Sequence, residues 1–278
     1  MVNYARNQGV ELLESIIQDI GPIFTIENAY QQGRDQGFSR QIVRNILNKM
    51  TQSEWLTRLK RGLYIVESPL FEVEIHPFAI AQALVDPMAI SHWSALAHHG
   101  FTTQIPPMVQ ASSPIKVVTP EMRSGEAYHP RGSAAWRVLD IEIEYIHIKK
   151  DKFWGFNQEW VSNWHRVNIT DPERTILDLI ARSDLFGGIS MAIETINNFL
   201  TEVDVSILVD YAIQYDVGAY IKRLGWILES SEVPDELLEP LREYQVQNYY
   251  LLDPQGRENG EPITRWKLYN NLPGVIDA

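Results

Sequence analysis

Residues 38–50, FSRQIVRNILNKM, admit one local structure. At about 100° per residue, Ile42, Val43, Ile46, Leu47 and Met50 gather on one side of a helix. Arg40, Gln41, Arg44, Asn45, Asn48 and Lys49 gather on the other. Ser39 stands just before the run as an N-cap, with a hydroxyl oxygen to accept from the first turn. The polar side holds cations and carboxamides and no acid. Ordinary solvent faces mix Glu with Lys, because opposite charges one turn apart support each other. This face lacks that support. It suits a groove lined with phosphates and base edges, where Arg pairs with guanine and Asn or Gln with adenine.

The flanking sequence extends the pattern. Val10, Leu12, Leu13, Ile16, Ile17 and Ile20 form the apolar face of a first helix that Gly21-Pro22 ends. Thr25 is positioned to cap a second helix, IENAYQQ, with Gly33 expected to close it. After the polar helix, EWLTRLKRGLYIVES reads as two short strands joined at KRG, where Gly62 is free to take positive φ. Arg58, Lys60 and Arg61 then sit at the hairpin tip. Helix, helix, turn, polar-basic helix and basic hairpin is the order of a winged helix-turn-helix, in which the third helix enters the major groove and the wing touches backbone or minor groove. The candidate DNA contacts are Ser39, Arg40, Gln41, Arg44, Asn45, Asn48 and Lys49 on the helix, with Arg58, Lys60 and Arg61 on the wing.

Charge supports a contact at one end of the chain. The protein carries a formal net charge of −12, yet residues 31–61 hold seven bases against two acids. Residues 1–70 hold eight bases and seven acids, so everything beyond sums to −13. The 278 residues suffice for one large or two ordinary domains. The expected division is a winged helix-turn-helix domain over 1–70 and a larger mixed α/β domain over 71–278, an α+β protein with its seam near ESPLFE (67–72). With no cysteine, there is no disulfide framework and no thiolate metal site. No apolar run is long enough to span a bilayer, and the N-terminus lacks the apolar core of a secretory signal, so a cytoplasmic protein is expected.

Beyond the seam, HPFAIAQALVD reads as a helix, PMAIS as a strand and HWSALAHHG as a helix closed by Gly100. Residues 108–150 look strand-rich, with PIKVVTP as one strand. Period-two alternation over 141–148 sets Glu142 and Glu144 on the solvated side of another. RVNITDPERTILDLIAR runs from strand into helix, with Asp171 as cap and Pro172 in the first turn. More helical patterns follow to residue 244, and the last stretch reads as strands and turns.

Four segments in this order carry a resemblance: RLKRGLYIV (58–66), LVDPMAISHWSALAHHG (84–100), ITDPERTILDLI (169–180) with the Gly-Gly turn at 187–188, and KRLGWILES (222–230). Over about two thirds of its length the chain resembles the AbiEi antitoxins of type IV toxin–antitoxin and abortive-infection systems. The resemblance implies a winged helix that represses its own promoter by binding inverted repeats in double-stranded DNA. It also implies a C-terminal domain that neutralises a nucleotidyltransferase-like toxin, with or without a stable complex. Antitoxin domains of the family carry basic surface, whereas this one is acidic overall. Its basic cluster is HIKKDKFWGF (147–156), with Lys149, Lys150 and Lys152. These three, with the i,i+4 pair Arg174 and Asp178, are the candidate antitoxin-domain contacts, although the pair reads first as a structural ion pair.

Other function classes lack their residues. No Gly-rich phosphate loop, Ser nucleophile elbow or Cys nucleophile appears, so neither enzyme activity nor a cofactor is expected. His76, His92, His98 and His99 crowd together without the i,i+4 pairing of a zinc helix, and read as packed or capping residues rather than metal ligands. Two alternatives stand beside the DNA-binding antitoxin: a protein-interaction module, or a transcription factor, whose acidic C-terminal domain binds a partner or a small ligand. One helix-turn-helix reads about one half-site, so a dimer on DNA is expected.

Overall fold

The structure is a computed structural model. It describes residues 2–71, 73–125, 134–257 and 260–272. Glu72 of the expected seam lies outside them, as do parts of the stretches 108–150 and 248–273. In chain order the elements are α1 (Val2–Asp19), β1 (Ile23–Thr25), α2 (Ile26–Asp35), α3 (Arg40–Gln52), β2 (Leu56–Lys60), β3 (Leu63–Val66) and α4 (Pro77–Leu84). Next come β4 (Ala89–Ile90), α5 (His92–His98), β5 (Val109–Ser113), α6 (Pro120–Ser124), β6 (Ala134–Val138), β7 (Ile141–His147), β8 (Phe156–Trp160) and β9 (Arg166–Thr170). The last part holds α7 (Pro172–Ala181), α8 (Ile189–Phe199), α9 (Val205–Tyr215), α10 (Gly218–Ser230), α11 (Asp235–Glu243), β10 (Tyr250–Leu251), β11 (Glu261–Ile263) and β12 (Leu268–Asn270). The fold is α+β. No helix among the described residues is long and apolar enough to cross a membrane.

Two compact units result. The first gathers residues 1–88, 117–143 and 158–168; the second gathers 89–116, 144–157 and 169–278. The first unit runs on past the boundary expected at 70/71 to residue 88, and the chain returns to it twice. Trp164 packs against the core of α1–α3, and Gln82 and Asn168 tie α4 to β9, Asn168 N donating to Gln82 Oε1 at 2.9 Å.

In the first unit Leu12, Leu13, Ile16, Val43, Leu47 and Leu56 are buried together. Each such side chain contributes about 1.5–3 kcal/mol by leaving water. Thr25 caps α2 as expected. Its Oγ1 accepts from Asn28 N at 3.2 Å, and Asn28 Oδ1 accepts from Thr25 N at 2.8 Å. Caps of this kind are worth about 1 kcal/mol. Gly33 does not close α2. The helix continues to Asp35, and the chain turns at Gly37, where φ is +79°. A Cβ on Gly33 would lie 2.3 Å from Val43 Cγ2, so this glycine permits α2 and α3 to approach. The wing has a third strand that the sequence did not announce. β1 pairs antiparallel with β3, giving the order β1-β3-β2. Three residues are too few to display a period.

In the second unit residues 144–147 of β7, with β5, β4 and residues 169–170 of β9, belong to one sheet, β4 running antiparallel to β5 and, at Ile90 and Ile169, parallel to β9. The strand near residue 110 is VQASS rather than the expected PIKVVTP. Helix α7 is the centre of the unit, buried from Arg174 to Ile180. Asp171 caps it by accepting from Arg174 N at 2.8 Å. On α10 a Cβ at Gly225 would lie 2.0 Å from the ring of the fully buried Trp266, so only glycine fits. The alternation expected over β7 fails at Glu144, which is buried and accepts from Gln110 Nε2 at 2.8 Å. Residues 143–146 are all buried, so both faces of the strand are covered there.

His92 opens α5 from a buried position, its Nδ1 lying 2.7 Å from Ser91 Oγ and its ring stacked on Phe186. Burial lowers its pKa. A histidine in an unfolded chain titrates near about 6.5, so below that pH the unfolded state takes up a proton that the folded state resists. Stability is therefore retained above that pH and lost as the pH falls. The melting temperature should drop between pH 7.5 and 5.5, and the drop should be shallower in His92→Asn. An equally steep drop in the variant would remove His92 as the cause.

Candidate nucleic-acid interface

The seven polar candidates of α3 end up on one open surface. Ser39, Arg40, Gln41, Arg44, Asn45, Asn48 and Lys49 are all exposed. Val43, Ile46, Leu47 and Met50 are buried beneath them. Ser39 Oγ caps the helix by accepting from Ile42 N at 3.3 Å. Among the described residues no carboxylate makes an ion pair with Arg40, Arg44 or Lys49. The positive charge of the face is thus left uncompensated.

Three side chains of this face are held by neighbours that carry no charge. Arg44 Nε donates to Tyr30 Oη on α2 at 3.0 Å, and the Arg40 guanidinium lies 5.1 Å from the centroid of the Tyr30 ring. Gln41 Nε2 donates to Asn45 Oδ1 at 3.1 Å. Ile42 was expected in the core, but it is 42% exposed among these groups. It stands about 100° from Val43 on the helical wheel, at the edge of the apolar sector. An exposed aliphatic group in such a face matches the methyl of thymine.

The wing candidates behave differently from one another. β2 and β3 pair across a register shift between Arg58 and Lys60, and the turn uses Gly62 at φ +77°. Ile26 N donates to Gly62 O at 2.8 Å, which fixes the wing turn to the start of α2. Arg58 and Arg61 are exposed. Lys60 is exposed too, but its ammonium is engaged, Nζ donating to Leu84 O at the end of α4 at 2.7 Å. Burial lowers its pKa, opposed by the nearby Asp86 carboxylate. Arg58 Nε likewise donates to a carbonyl, Lys60 O at 3.3 Å, so among the described residues Arg61 is the wing cation left without a hydrogen bond or ion pair.

The second group of candidates separates into surface and interior. Lys149 and Lys150 are exposed beside a 3-10 turn at Lys150–Lys152. Lys152 is half-buried, with its ammonium 5.4 Å from the centroid of Tyr215. Arg174 and Asp178, expected as antitoxin-domain contacts, are not on the surface. Their side chains are 2% and 5% exposed, because α7 is enclosed by its own unit. Arg174 Nε donates to Asp178 Oδ1 at 2.9 Å, and its Nη1 donates to the carbonyls of Lys152 and Trp154 at 2.8 Å each. Its guanidinium also stacks over Trp154, 4.7 Å from the centroid. These two residues hold the fold of the second unit. Trp154 belongs to the same packing, its ring edge-on to Tyr211 with centroids 5.0 Å apart.

Removing one partner of a buried pair strands the other's charge, at a cost of about 3–5 kcal/mol. Arg174→Ala should lower unfolding free energy by that amount in urea titrations followed by tryptophan fluorescence. A loss under about 1 kcal/mol is what an exposed pair would give, and would contradict the interior placement.

The chain matches no family model, and it matches no curated protein. Among solved structures it is similar to the crystal structure of RV2827C protein from Mycobacterium tuberculosis. The similarity covers 96% of this chain and 92% of that chain, with a TM-score of 0.64 and 13% sequence identity. At that identity the likeness concerns the fold alone.

Proposed function

We propose that the chain is a DNA-binding regulator that reads double-stranded DNA with α3 and braces on the backbone with the wing. The observation that carries this reading is the exposed face of Arg40, Gln41, Arg44, Asn45, Asn48 and Lys49, free of any acidic partner among the described residues. Such a face attracts a polyanion, which supplies the opposite charge. The sequence resemblance to AbiEi antitoxins extends the proposal. The regulator represses its own promoter as a dimer on inverted repeats, and the second unit counters a nucleotidyltransferase-like toxin. Lys149 and Lys150 are the exposed cations of that unit's basic cluster.

Fluorescence anisotropy with duplex from the region upstream of the protein's own gene tests the reading. Each neutralised phosphate releases counterions, so affinity should fall steeply as salt rises. Arg44→Ala should lose about 1–3 kcal/mol and relax base preference at one position, while Arg61→Ala should weaken all sequences alike and reduce the salt slope by about one. Absent or salt-insensitive binding by the full chain would end the DNA-binding reading. Failure of the chain to rescue cells expressing the toxin would end the antitoxin part alone.

A further inference from the structure

We infer that Tyr30 is the positioning residue through which α3 discriminates between DNA sequences, acting on Arg44 and Arg40 without touching the DNA. The inference rests on the DNA-binding reading and deepens it.

A free arginine side chain samples many rotamers, and holding it for base contact costs entropy that a pre-set geometry avoids. The usual restraint is a carboxylate, but a carboxylate would cancel the charge that draws the phosphates. Tyr30 restrains two arginines with no charge at all. It sits on α2, is 6% exposed, and is fixed by the core beneath α3. Its hydroxyl accepts from Arg44 Nε at 3.0 Å. That bond occupies Nε and leaves the two Nη groups for the paired acceptors O6 and N7 of guanine, the base contact arginine makes most often. The face of the same ring lies under the Arg40 guanidinium at 5.1 Å. Arg40 and Arg44 are one helical turn apart, so one aromatic side chain sets the spacing of two neighbouring cations. Gly33 makes the arrangement reachable, since a side chain there would collide with Val43 and push α2 away from α3.

The test compares full-length wild type, Tyr30→Phe, Arg44→Ala and the double variant. Each is titrated against the upstream duplex and a random-sequence duplex of equal length. Tyr30→Phe keeps the ring under Arg40 and removes only the hydroxyl. It should lower the ratio of specific to random affinity by about tenfold, within the range of a base contact, with the loss concentrated on the specific duplex. Because the hydroxyl acts through Arg44, adding Tyr30→Phe to Arg44→Ala should lower the ratio no further. A thermal melt accompanies each variant. Should Tyr30→Phe melt early, Arg44→Lys replaces it: lysine keeps the charge but has no Nε–H for Tyr30, and the ratio should fall likewise. An equal loss on both duplexes would assign Arg44 to phosphate and overturn the inference, as would full additivity in the double variant or an Arg44→Lys ratio equal to wild type. If wild type itself binds neither duplex, the DNA-binding reading fails first and this inference with it.

Discussion

The first unit depends on how closely its helices approach α3. Glycine at position 33 sets that distance between α2 and α3. A Cβ there would sit 2.3 Å from Val43 Cγ2, on a stiff β-branched side chain, whereas at Gly9 of α1 only the flexible end of Met50 would have to move. With no side chain at Gly33, Val43, Ile46, Leu47 and Met50 sink into a common core with Leu12, Leu13 and Ile16. Everything polar on α3 is then turned outward together, since a helix has only one rotation that buries those four residues. The same approach brings Tyr30 under Arg40 and Arg44. The wing follows from the start of α2, where Ile26 N meets Gly62 O.

Three cations of the second unit are used in the opposite way to those of α3. On α3 the cations stay in water and lack acidic partners among the described residues. Arg174, Lys222 and Arg223 are interior donors to backbone carbonyls. Arg174 serves Lys152 and Trp154, Lys222 serves Leu241 and Arg242 at the end of α11, and Arg223 serves Leu251. A buried carbonyl left without a donor costs free energy, and a long cationic side chain can reach one that no helix or strand satisfies. The segments DPERTILDLI and KRLGWILES therefore carry packing: one is the central helix with its interior pair, the other the helix whose Gly225 admits Trp266. Their residues hold the unit together rather than presenting a surface.

The elements legible in the sequence were those governed by local rules. Periodicity found α1, α3 and α7, side-chain oxygens found the caps at Thr25, Ser39 and Asp171, and glycine found the wing turn. What escaped had too short or too distant a signal. β1 is three residues long. Glu144 followed a period-two pattern that presumes one wet face, but β7 is covered on both sides where Glu144 lies. Ile42 lay on the rim of its apolar sector, where burial is decided by the neighbouring helix. Gly33 read as a stop and proved to be a point of close approach.

By itself the sequence determined that α3 is an amphipathic helix with an acid-free polar side, and that a basic hairpin follows it. Those properties depend on residues within a turn or two of each other. Only the tertiary structure decided which cations are free. Tyr30 holds Arg44 from 14 residues away, Leu84 takes Lys60 from 24, and Lys152 takes Arg174 from 22. Such partners meet only after the chain has closed long loops around its cores, so no local pattern records them.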